Sequence, residues 1–353
     1  MGPSRGRLAG LRDYCSTSLP HIEIRARLRP GVHASQGRWC HNGSEKAAGG
    51  LMDEAIHDRA DGFEMHRRHL TGLAYRMLGS LTEAQDVVQE AYLRWHRADC
   101  EEIDNARAFL SRIVARLCLD QLKSARARHE HYVGTWLPEP VLDETALAAE
   151  GTSDYAQDLS IALMLTLERL SPLERAAFLL HDVFDMSFDE VASTLRRSPA
   201  SCRQLAARAR SHVRASRPRF RPSQQECERL VAAFTAAAQR GDAEALAQLL
   251  AGGVTYYADA DGRVPTARRP IVGRDKVVRL MQGLARKGAA AIRAVRFAQI
   301  NGLPGLIIER DQGEMLTMAF DFRDGLIANL YLMMNPDKLH QLRSADTRLQ
   351  YAH

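Results

Sequence analysis

Long apolar runs are missing from this chain of 353 residues. No stretch of eighteen consecutive apolar residues occurs, which predicts that no helix crosses a membrane. The Arg- and Gly-rich N-terminus also lacks the apolar core of a signal peptide, so we expect a cytoplasmic protein. The hydrophobic fraction of 45% is nevertheless high enough to form cores in two or three domains.

Cysteine motifs are missing as well. The six cysteines are scattered, without a C-x-x-C pair or a Cys/His cluster at the spacing of metal ligands. Lone cysteines in a reducing compartment usually pack as small hydrophobic side chains. The sequence therefore predicts no structural zinc, no other metal and no cofactor.

Residues 52–353 carry no net excess of positive or negative charge. The formal charge is +5, but residues 1–51 hold eight Lys or Arg against three acids, and the rest of the chain holds 40 of each. DNA binding would therefore depend on local clusters of charge. Residues 1–51 show no helix or strand period, and Met52 is a plausible start, so this segment is expected to be disordered or untranslated.

A first helical domain is predicted over residues 56–130. A capping-box pattern at Ser80 or Thr82 begins one of its helices. The following helix, from A-R-A-F-L to A-R-A-R, is expected to bury Phe109, Ile113, Leu117, Cys118 and Leu122 while its basic side chains project elsewhere.

A linker is predicted over residues 131–157, because W-L-P-E-P at 136–140 has two prolines within three residues. A large aromatic side chain in a linker suggests an anchoring role. A second helical domain is predicted over 158–217, with N-caps at Ser171, Ser187 and Ser198.

The second domain contains a helix-turn-helix pattern, S-F-D-E-V-A-S-T-L-R-R-S-P-A-S-C-R-Q-L. Its second helix should present four polar side chains outward: Ser201, Arg203, Gln204 and Arg208. Residues 196–221 contain nine arginines and no acid. Because Arg pairs with guanine and Gln with adenine, this helix suits a major groove. The alternative is a basic surface helix without a function.

A third domain is predicted over residues 224–342, after a short linker at 218–223. Two helices are followed by five strand-like runs with one helix near 276–286. This order predicts an α+β fold with an antiparallel meander.

The motif D-V-V-Q-E-A-Y, with N-A-R-A-F-L-S-R-I-V-A-R-L downstream, resembles region 2 of bacterial extracytoplasmic-function sigma factors, and 158–217 resembles their region 4. The resemblance implies a polymerase contact through Asp86, Gln89 and Glu90. It also implies −10 promoter contacts through five residues, Asn105, Arg112, Arg116, Lys123 and Arg126. The outward residues of the helix-turn-helix, Ser201, Arg203, Gln204 and Arg208, are then expected to recognise the −35 element. The alternative is that these side chains are exposed to solvent and contact neither polymerase nor DNA.

W-L-P-E-P, R-P-I-V-G-R-D and N-P-D-K-L together resemble the sigma-factor subgroup with a fused SnoaL-like domain. The expected architecture is thus two all-α domains followed by an α+β SnoaL-like cone. The resemblance implies that no dedicated anti-sigma partner is needed. The subgroup's D-G-G-G-K motif is D-A-D-G-R here, Asp259 to Arg263, which predicts a stiffer loop and puts its regulatory contact in doubt.

Catalysis is not expected from the third domain. Asp259, Asp261, Tyr256, Tyr257 and Asp321 are available as acids or bases, but they form no specific constellation in the sequence. A small-molecule ligand remains possible, since fold alone does not decide function.

The sequence therefore predicts an alternative sigma factor, monomeric when free, whose partners are core RNA polymerase (β′ clamp and β flap) and promoter DNA. Its C-terminal domain is expected to regulate it through contacts between the linker and the N-P-D-K-L segment, involving Trp136, Leu137, Asn335, Pro336 and Asp337. Two alternatives are a one-component helix-turn-helix regulator, expected to be dimeric, and an isomerase-like or cyclase-like enzyme with a DNA-binding appendage.

Overall fold

The computed structural model describes the backbone of residues 46–98, 103, 105–129, 132–142, 147, 158–214, 223–288, 292–311 and 313–342; side chains are described for these residues except 46–59, 125–129 and 288. The predicted tail thus lies mostly outside the described residues. The first helix begins at Lys46, inside the segment that was expected to lack regular structure.

Seven α-helices are formed by the described residues between Lys46 and Arg214. They are α1 (Lys46–Leu78), α2 (Leu81–Arg97), α3 (Ala106–His129), α4 (Ile161–Glu168), α5 (Pro172–Phe178), α6 (Phe188–Leu195) and α7 (Pro199–Arg214), with a π-helical turn (Leu179–Val183) between α5 and α6. Buried side chains from α1–α3 and from α4–α7 form one continuous apolar core. The two predicted helical domains are therefore packed against each other.

Serine caps determine where several of these helices begin. Ser171 and Ser187 each form a complete capping box, with Glu174 and Glu190 as the reciprocal acids. Ser80 accepts a hydrogen bond from the Glu83 amide at the start of α2. These caps satisfy amide groups that have no partner within the helix.

In its described residues, the C-terminal domain combines three helices before its last strand and a helical segment over residues 336–342 with a six-stranded sheet. The helices are α8 (Gln224–Arg240), α9 (Ala243–Leu249) and α10 (Arg274–Gly288), and the strands are β1 (Leu250–Asp259), β2 (Ile271–Val272), β3 (Ile292–Ile300), β4 (Leu303–Arg310), β5 (Met315–Arg323) and β6 (Leu326–Met333). The strand order is β2-β1-β6-β5-β4-β3. No helix in the described part of the chain is both long and apolar enough to cross a membrane.

The sheet is not the simple antiparallel meander expected from the sequence. Strands β3 to β6 do form a meander, but β1 pairs with β6 in parallel, and the short strand β2 was not predicted. The parallel pair is possible because the chain crosses over through α10 and the meander before β6 returns to the side of β1.

Both faces of the sheet are covered. One face packs against α8, α9 and α10 through residues such as Phe234, Phe320 and Leu330. The opposite face forms a second apolar cluster that includes Leu137 from the linker and Ile161 from α4. Because the sheet buries side chains on both faces, its strands show long buried runs instead of strict alternation.

Candidate functional sites

The helix-turn-helix is built as its sequence indicates. Helix α7 buries Cys202, Leu205 and Ala209 and leaves Arg203, Gln204 and Arg208 exposed, with Ser201 half-buried. The turn before it holds Arg196 in the left-handed region, with φ 54° and ψ 50°. A side chain with a Cβ is strained in this conformation, as expected for a position where glycine is the favourable residue.

Two of the four predicted −35 residues have partners within the same domain. Arg208 Nε lies 2.7 Å from Glu174 Oε1, and the Arg203 guanidinium lies 5.7 Å from the centre of the Phe188 ring. The hydrogen bond from Ser171 and that from Arg208 lower the pKa of Glu174 to about 2. The ion pair between Glu174 and Arg208 thus connects the first turn of α5 with the outward face of α7.

The predicted −10 helix, α3, is packed against the second helical domain. Arg116 donates from Nε to the carbonyl of Thr194 at 3.1 Å and from Nη2 to that of Ser193 at 2.8 Å. Both carbonyls lie in the last turn of α6, where helix carbonyls lack intrahelical partners and attract a cation. The structure therefore places Arg116 against α6.

The other four predicted −10 residues differ in their burial and in their hydrogen-bond partners. Asn105 caps α3, because its Oδ1 accepts from the Ala108 amide at 3.0 Å. Lys123 is exposed and paired with Asp120. Arg112 is half-buried, and its Nε has no hydrogen-bond partner among the residues that the structure describes. Arg126 lies in α3, but its side chain is outside the described residues, as is most of the loop before the helix.

The buried face of α3 differs from the predicted one. The most deeply buried side chains are Leu110, Val114, Ala115 and Cys118, whereas Phe109, Ile113, Leu117 and Leu122 are only partly buried. Cys118 is buried as predicted, and the other four predicted side chains pack against the core from its edge, but the centre of the buried face lies about one position further along the helix. The helix packs against α2 on one side and α5 and α6 on the other, so its buried surface is wider than the single stripe assumed from periodicity.

The predicted polymerase face lies on α2. Asp86 and Gln89 are exposed, and Glu90 is partly exposed and paired with Arg94 at 2.9 Å. Thr82 and Gln85 precede them on the same side of the helix, at spacings of three and four residues.

The segment after N-P-D-K-L reaches this side of α2. Residues 336–342 are helical. Gln341 Nε2 lies 3.3 Å from Thr82 Oγ1 and 3.5 Å from Gln85 Oε1, and His340 Nε2 lies 3.4 Å from Thr82 Oγ1. The C-terminal domain thus borders the predicted polymerase face.

The W-L-P-E-P segment is ordered and largely buried. Glu139, with 2% of its surface exposed, caps α2 from the linker. Its Oε2 accepts from the Leu81 amide at 2.8 Å and from Ser80 Oγ at 3.0 Å. A carboxylate at a helix N-terminus is stabilised by the free amides and by the helix dipole.

Trp136 and Leu137 are fixed by contacts on both sides of the linker. The Trp136 ring lies against Gly79, which has φ +73°; a Cβ there would be 2.4 Å from the ring. Leu137 is 2% exposed and belongs to the apolar cluster on the sheet, together with Leu339. A side chain at residue 79 would therefore displace the tryptophan.

A buried ion pair of the C-terminal domain binds the linker backbone. Lys338 Nζ lies 2.8 Å from Asp259 Oδ2 and also donates to the carbonyl of Leu137 at 2.7 Å. The same carboxylate accepts from the Leu137 amide at 2.8 Å and from the Tyr132 hydroxyl. We call Tyr132, Trp136, Leu137, Asp259 and Lys338 the linker lock.

Aromatic rings complete the surroundings of the lysine in the linker lock. Lys338 Nζ lies 4.9 Å from the centre of the Tyr132 ring and 4.8 Å from that of Trp136. Burial lowers the pKa of Lys338, and the neighbouring Asp259 carboxylate opposes this shift. The cation is thus compensated by one full charge and two ring faces.

The predicted residues of the N-P-D-K-L segment surround this lock. Asn335 is 3% exposed and donates to the Tyr132 hydroxyl at 3.2 Å. Asp337 pairs with Arg263 at 2.6 Å, and both side chains are more than half exposed. Pro336 begins the helical turn that carries Lys338.

The D-A-D-G-R loop lies between the linker and the N-P-D-K-L segment. Asp261 has φ +47° and Gly262 φ +69°, so one of the substituted positions does carry the left-handed conformation. Gly262 lies next to Val133, and Arg263 reaches Asp337. The altered loop therefore contacts both the linker and the N-P-D-K-L segment.

Asn301 forms a second link between the sheet and the linker. It is fully buried, and its backbone amide donates to the carbonyl of Val141 at 2.8 Å, while its Oδ1 accepts from the Val141 amide at 3.1 Å. Its Nδ2 donates to the Tyr75 hydroxyl of α1 at 2.6 Å. This side chain connects three separate parts of the chain.

Sequence reasoning missed the roles of Glu139, Tyr132 and Asn301 and treated Asp259 mainly as a possible acid or base. The signal available for Glu139 was its place between two prolines in an otherwise apolar motif. Asn301 followed by Gly302 was readable only as a turn signal. Nothing in either motif indicates its distant partner.

Comparison with family models gives two matches. Residues 63–128 match Sigma-70 region 2, and residues 160–213 match Sigma-70, region 4. These ranges contain α2 and α3 in the first case and α4 to α7 in the second.

Curated relatives and solved structures extend the likeness to most of the chain. The ECF RNA polymerase sigma factor SigJ of Mycobacterium tuberculosis (strain ATCC 25618 / H37Rv) is 42% identical over 292 residues, covering 78% of this chain and 91% of SigJ. A probable ECF RNA polymerase sigma factor, SigI, of M. tuberculosis (strain CDC 1551 / Oshkosh) is 30% identical over 281 residues, covering 79% and 94%. The crystal structure of M. tuberculosis SigJ has a TM-score of 0.62 and 37% identity, covering 80% and 98%.

Proposed function

The chain belongs to the extracytoplasmic-function RNA polymerase sigma factors and directs transcription initiation, and from this premise we propose that its C-terminal domain holds the free protein in a closed, inactive form. Sigma factors are initiation factors without catalytic activity of their own. In this proposal the domain acts through contacts with the linker and α2.

The linker lock carries the proposal. Asp259 and Lys338 are both buried, and the groups that they bind belong to the linker between region 2 and region 4. A buried ion pair is costly to form, because both ions lose their hydration, so it is weak evidence for added stability. It does make one arrangement of the linker much more favourable than others, which suits a regulatory contact.

The packing of region 2 against region 4 supports the same state. Arg76 of α1 is fully buried, donates to the Leu147 carbonyl at 2.9 Å, and lies 5.6 Å from the Phe184 ring centre. Arg116 is bound to α6. A helix whose basic side chains contact protein carbonyls has fewer of them available for DNA.

In the closed form, the C-terminal domain would also limit the access of polymerase to α2. Asp86, Gln89 and Glu90 are the proposed residues for the β′ clamp, and Gln341 contacts Gln85 on the same side of α2. Region 4 is proposed to meet the β flap while α7 reads −35 DNA. We propose a monomer in the cytoplasm that exchanges its intramolecular contacts for polymerase and promoter DNA.

Neutralising the linker lock tests the proposal. The double variant Asp259→Asn/Lys338→Met removes both charges of the pair and keeps the side-chain sizes. We expect more run-off transcript than wild type when it is added to core polymerase and a cognate promoter. Measured affinity for core polymerase should rise in parallel.

A matched control comes from the same domain. Arg310 and Glu314 form a surface ion pair at 3.4 Å, away from the linker, so Arg310→Gln/Glu314→Gln should behave as wild type. If both double variants give wild-type transcription while remaining folded by circular dichroism, the restraint is refuted. Failure of every variant and of wild type to form a holoenzyme would instead argue for a one-component regulator.

The polymerase face is tested separately. Asp86→Ala/Glu90→Ala should weaken binding to core polymerase, whereas Asp120→Ala, an exposed acid on α3, should not. Unchanged affinity in the double variant would show that the face has been assigned to the wrong side chains.

A further inference from the structure

A strongly basic segment of the C-terminal domain begins in the D-A-D-G-R loop and continues through α10. Residues 262–287 hold eight basic side chains and one acid, Asp275. The basic residues are Arg263, Arg268, Arg269, Arg274, Lys276, Arg279, Arg286 and Lys287. The whole chain carries only +5, so this segment departs from a charge balance that is otherwise close to even.

Helix α10 arranges four of these side chains on one face. Val277, Val278 and Met281 are buried against the rest of the domain. On the opposite side, Gly283 and Lys287 each lie within about 20° of Lys276 at 3.6 residues per turn, and Arg279 and Arg286 lie about 60–80° to one side of Lys276. The line is about 16 Å long at 1.5 Å per residue. We call Lys276, Arg279, Gly283, Arg286 and Lys287 the α10 basic face.

The cations of the α10 basic face are not neutralised by neighbouring acids. All four are exposed, and within the described residues none of them has an ion-pair or hydrogen-bond partner. Other arginines of the domain do have acidic partners, as in the Arg263–Asp337 and Arg296–Glu309 pairs. An unpaired surface of one sign creates a local field that attracts an anionic partner.

Gly283 is a second observation on the same face. A Cβ at this position would meet nothing within 4 Å, so packing within the chain does not require glycine. Glycine inside a helix costs about 0.8–1 kcal/mol relative to alanine. Its benefit is that a partner can approach the helix backbone closely.

We propose that the α10 basic face binds the sugar-phosphate backbone of duplex DNA, as a contact independent of regions 2 and 4. DNA carries one negative charge per about 1.7 Å of its axis, so a 16 Å line of cations matches it over several phosphates. The proposed contacts go to phosphate groups, which are the same in every sequence, so the contact is independent of sequence. This role goes beyond the restraint proposed above and does not depend on it.

The test measures DNA binding by the full chain in the absence of polymerase. The probe is a fluorescein-labelled duplex of random sequence, titrated by fluorescence anisotropy over a range of salt concentrations. Arg279→Gln/Arg286→Gln should bind several-fold more weakly at low salt, and the slope of log K against log salt should decrease by about 1 to 2, since each phosphate contact contributes about 0.9. The matched control is Arg229→Gln/Arg240→Gln, two exposed arginines on α8 of the same domain.

Substitutions of Gly283 separate folding from binding. Gly283→Ala and Gly283→Gln should both raise the melting temperature by a few degrees, because alanine and glutamine favour helix more than glycine. Gly283→Gln should nevertheless weaken DNA binding, whereas Gly283→Ala should weaken it less.

Three outcomes would overturn the proposal. The first is a salt slope for Arg279→Gln/Arg286→Gln equal to that of the α8 control. The second is wild-type DNA affinity in Gly283→Gln. The third is that Arg279→Gln/Arg286→Gln binds DNA as tightly as wild type but binds core polymerase more weakly. This result would assign the face to an acidic protein surface. Because the DNA assay contains no polymerase, failure here leaves the restraint by the linker lock untouched.

Discussion

Lys338 Nζ lies 2.8 Å from Asp259 Oδ2, and the two residues bind the amide and the carbonyl of the same linker residue, Leu137. The pair thus holds the backbone of W-L-P-E-P from both sides of one residue. This arrangement connects the linker, the end of β1 and the N-P-D-K-L segment. The first prediction concerns this pair.

Removing only one charge of the pair should destabilise the protein more than removing both. Asp259→Asn leaves Lys338 buried without its anion, which typically costs about 3–5 kcal/mol. Asp259→Asn/Lys338→Met should recover much of that loss, because no unpaired ion remains. Urea denaturation of the two single variants and the double variant gives the coupling energy. If the losses of unfolding free energy in the two single variants add up to the loss in the double variant, the two charges do not depend on each other for stability.

Glu139 should be needed for the start of α2. Glu139→Ala leaves the Leu81 amide and the Ser80 hydroxyl without their acceptor, so we expect a loss of about 2 kcal/mol in unfolding free energy. Glu139→Gln keeps an acceptor oxygen and should lose less. Glu83→Gln, an acid within the same helix that does not cap it from the linker, serves as the control. Equal effects of Glu139→Ala and Glu83→Gln would contradict the capping role.

Arg196→Gly should stabilise the helix-turn-helix. The residue has φ 54°, where a side chain costs about 1–2 kcal/mol, partly offset by the greater freedom of glycine in the unfolded chain. We expect a net gain of up to about 1 kcal/mol, seen as a rise in melting temperature of a few degrees. Arg196→Ala removes the same charge but keeps the strain, so a similar rise in that variant would trace the effect to charge.

Stability should fall in acid partly through Glu174. Hydrogen bonds from Ser171 and Arg208 lower its pKa from 4.5 to about 2 in the folded protein. The unfolded chain therefore binds more protons between these values, so this contribution is complete above about pH 4.5 and is lost as the pH falls towards 2. Melting temperatures measured across this range should fall more steeply for wild type than for Glu174→Gln. Parallel curves would show that Glu174 does not contribute.

Much of the helical part could be predicted from the sequence because its signals are local. The capping boxes at Ser171 and Ser187 lie within three residues, and the inner stripe of α7 from Cys202 to Val213 repeats at three and four residues. The motifs also indicated that Trp136 and Leu137 would be held near N-P-D-K-L, and the structure brings these segments together.

The buried face of α3, the parallel pairing of β1 with β6 and the partners of Glu139 could be assigned only from the tertiary structure. Glu139 is 58 residues from Leu81, and Lys338 is 79 residues from Asp259. No periodicity extends over such distances. The sequence alone determined most of the helices and strands and which side chains carry charge. The tertiary structure decided which charges are buried together, because the cost of removing an ion from water depends on every group that surrounds it.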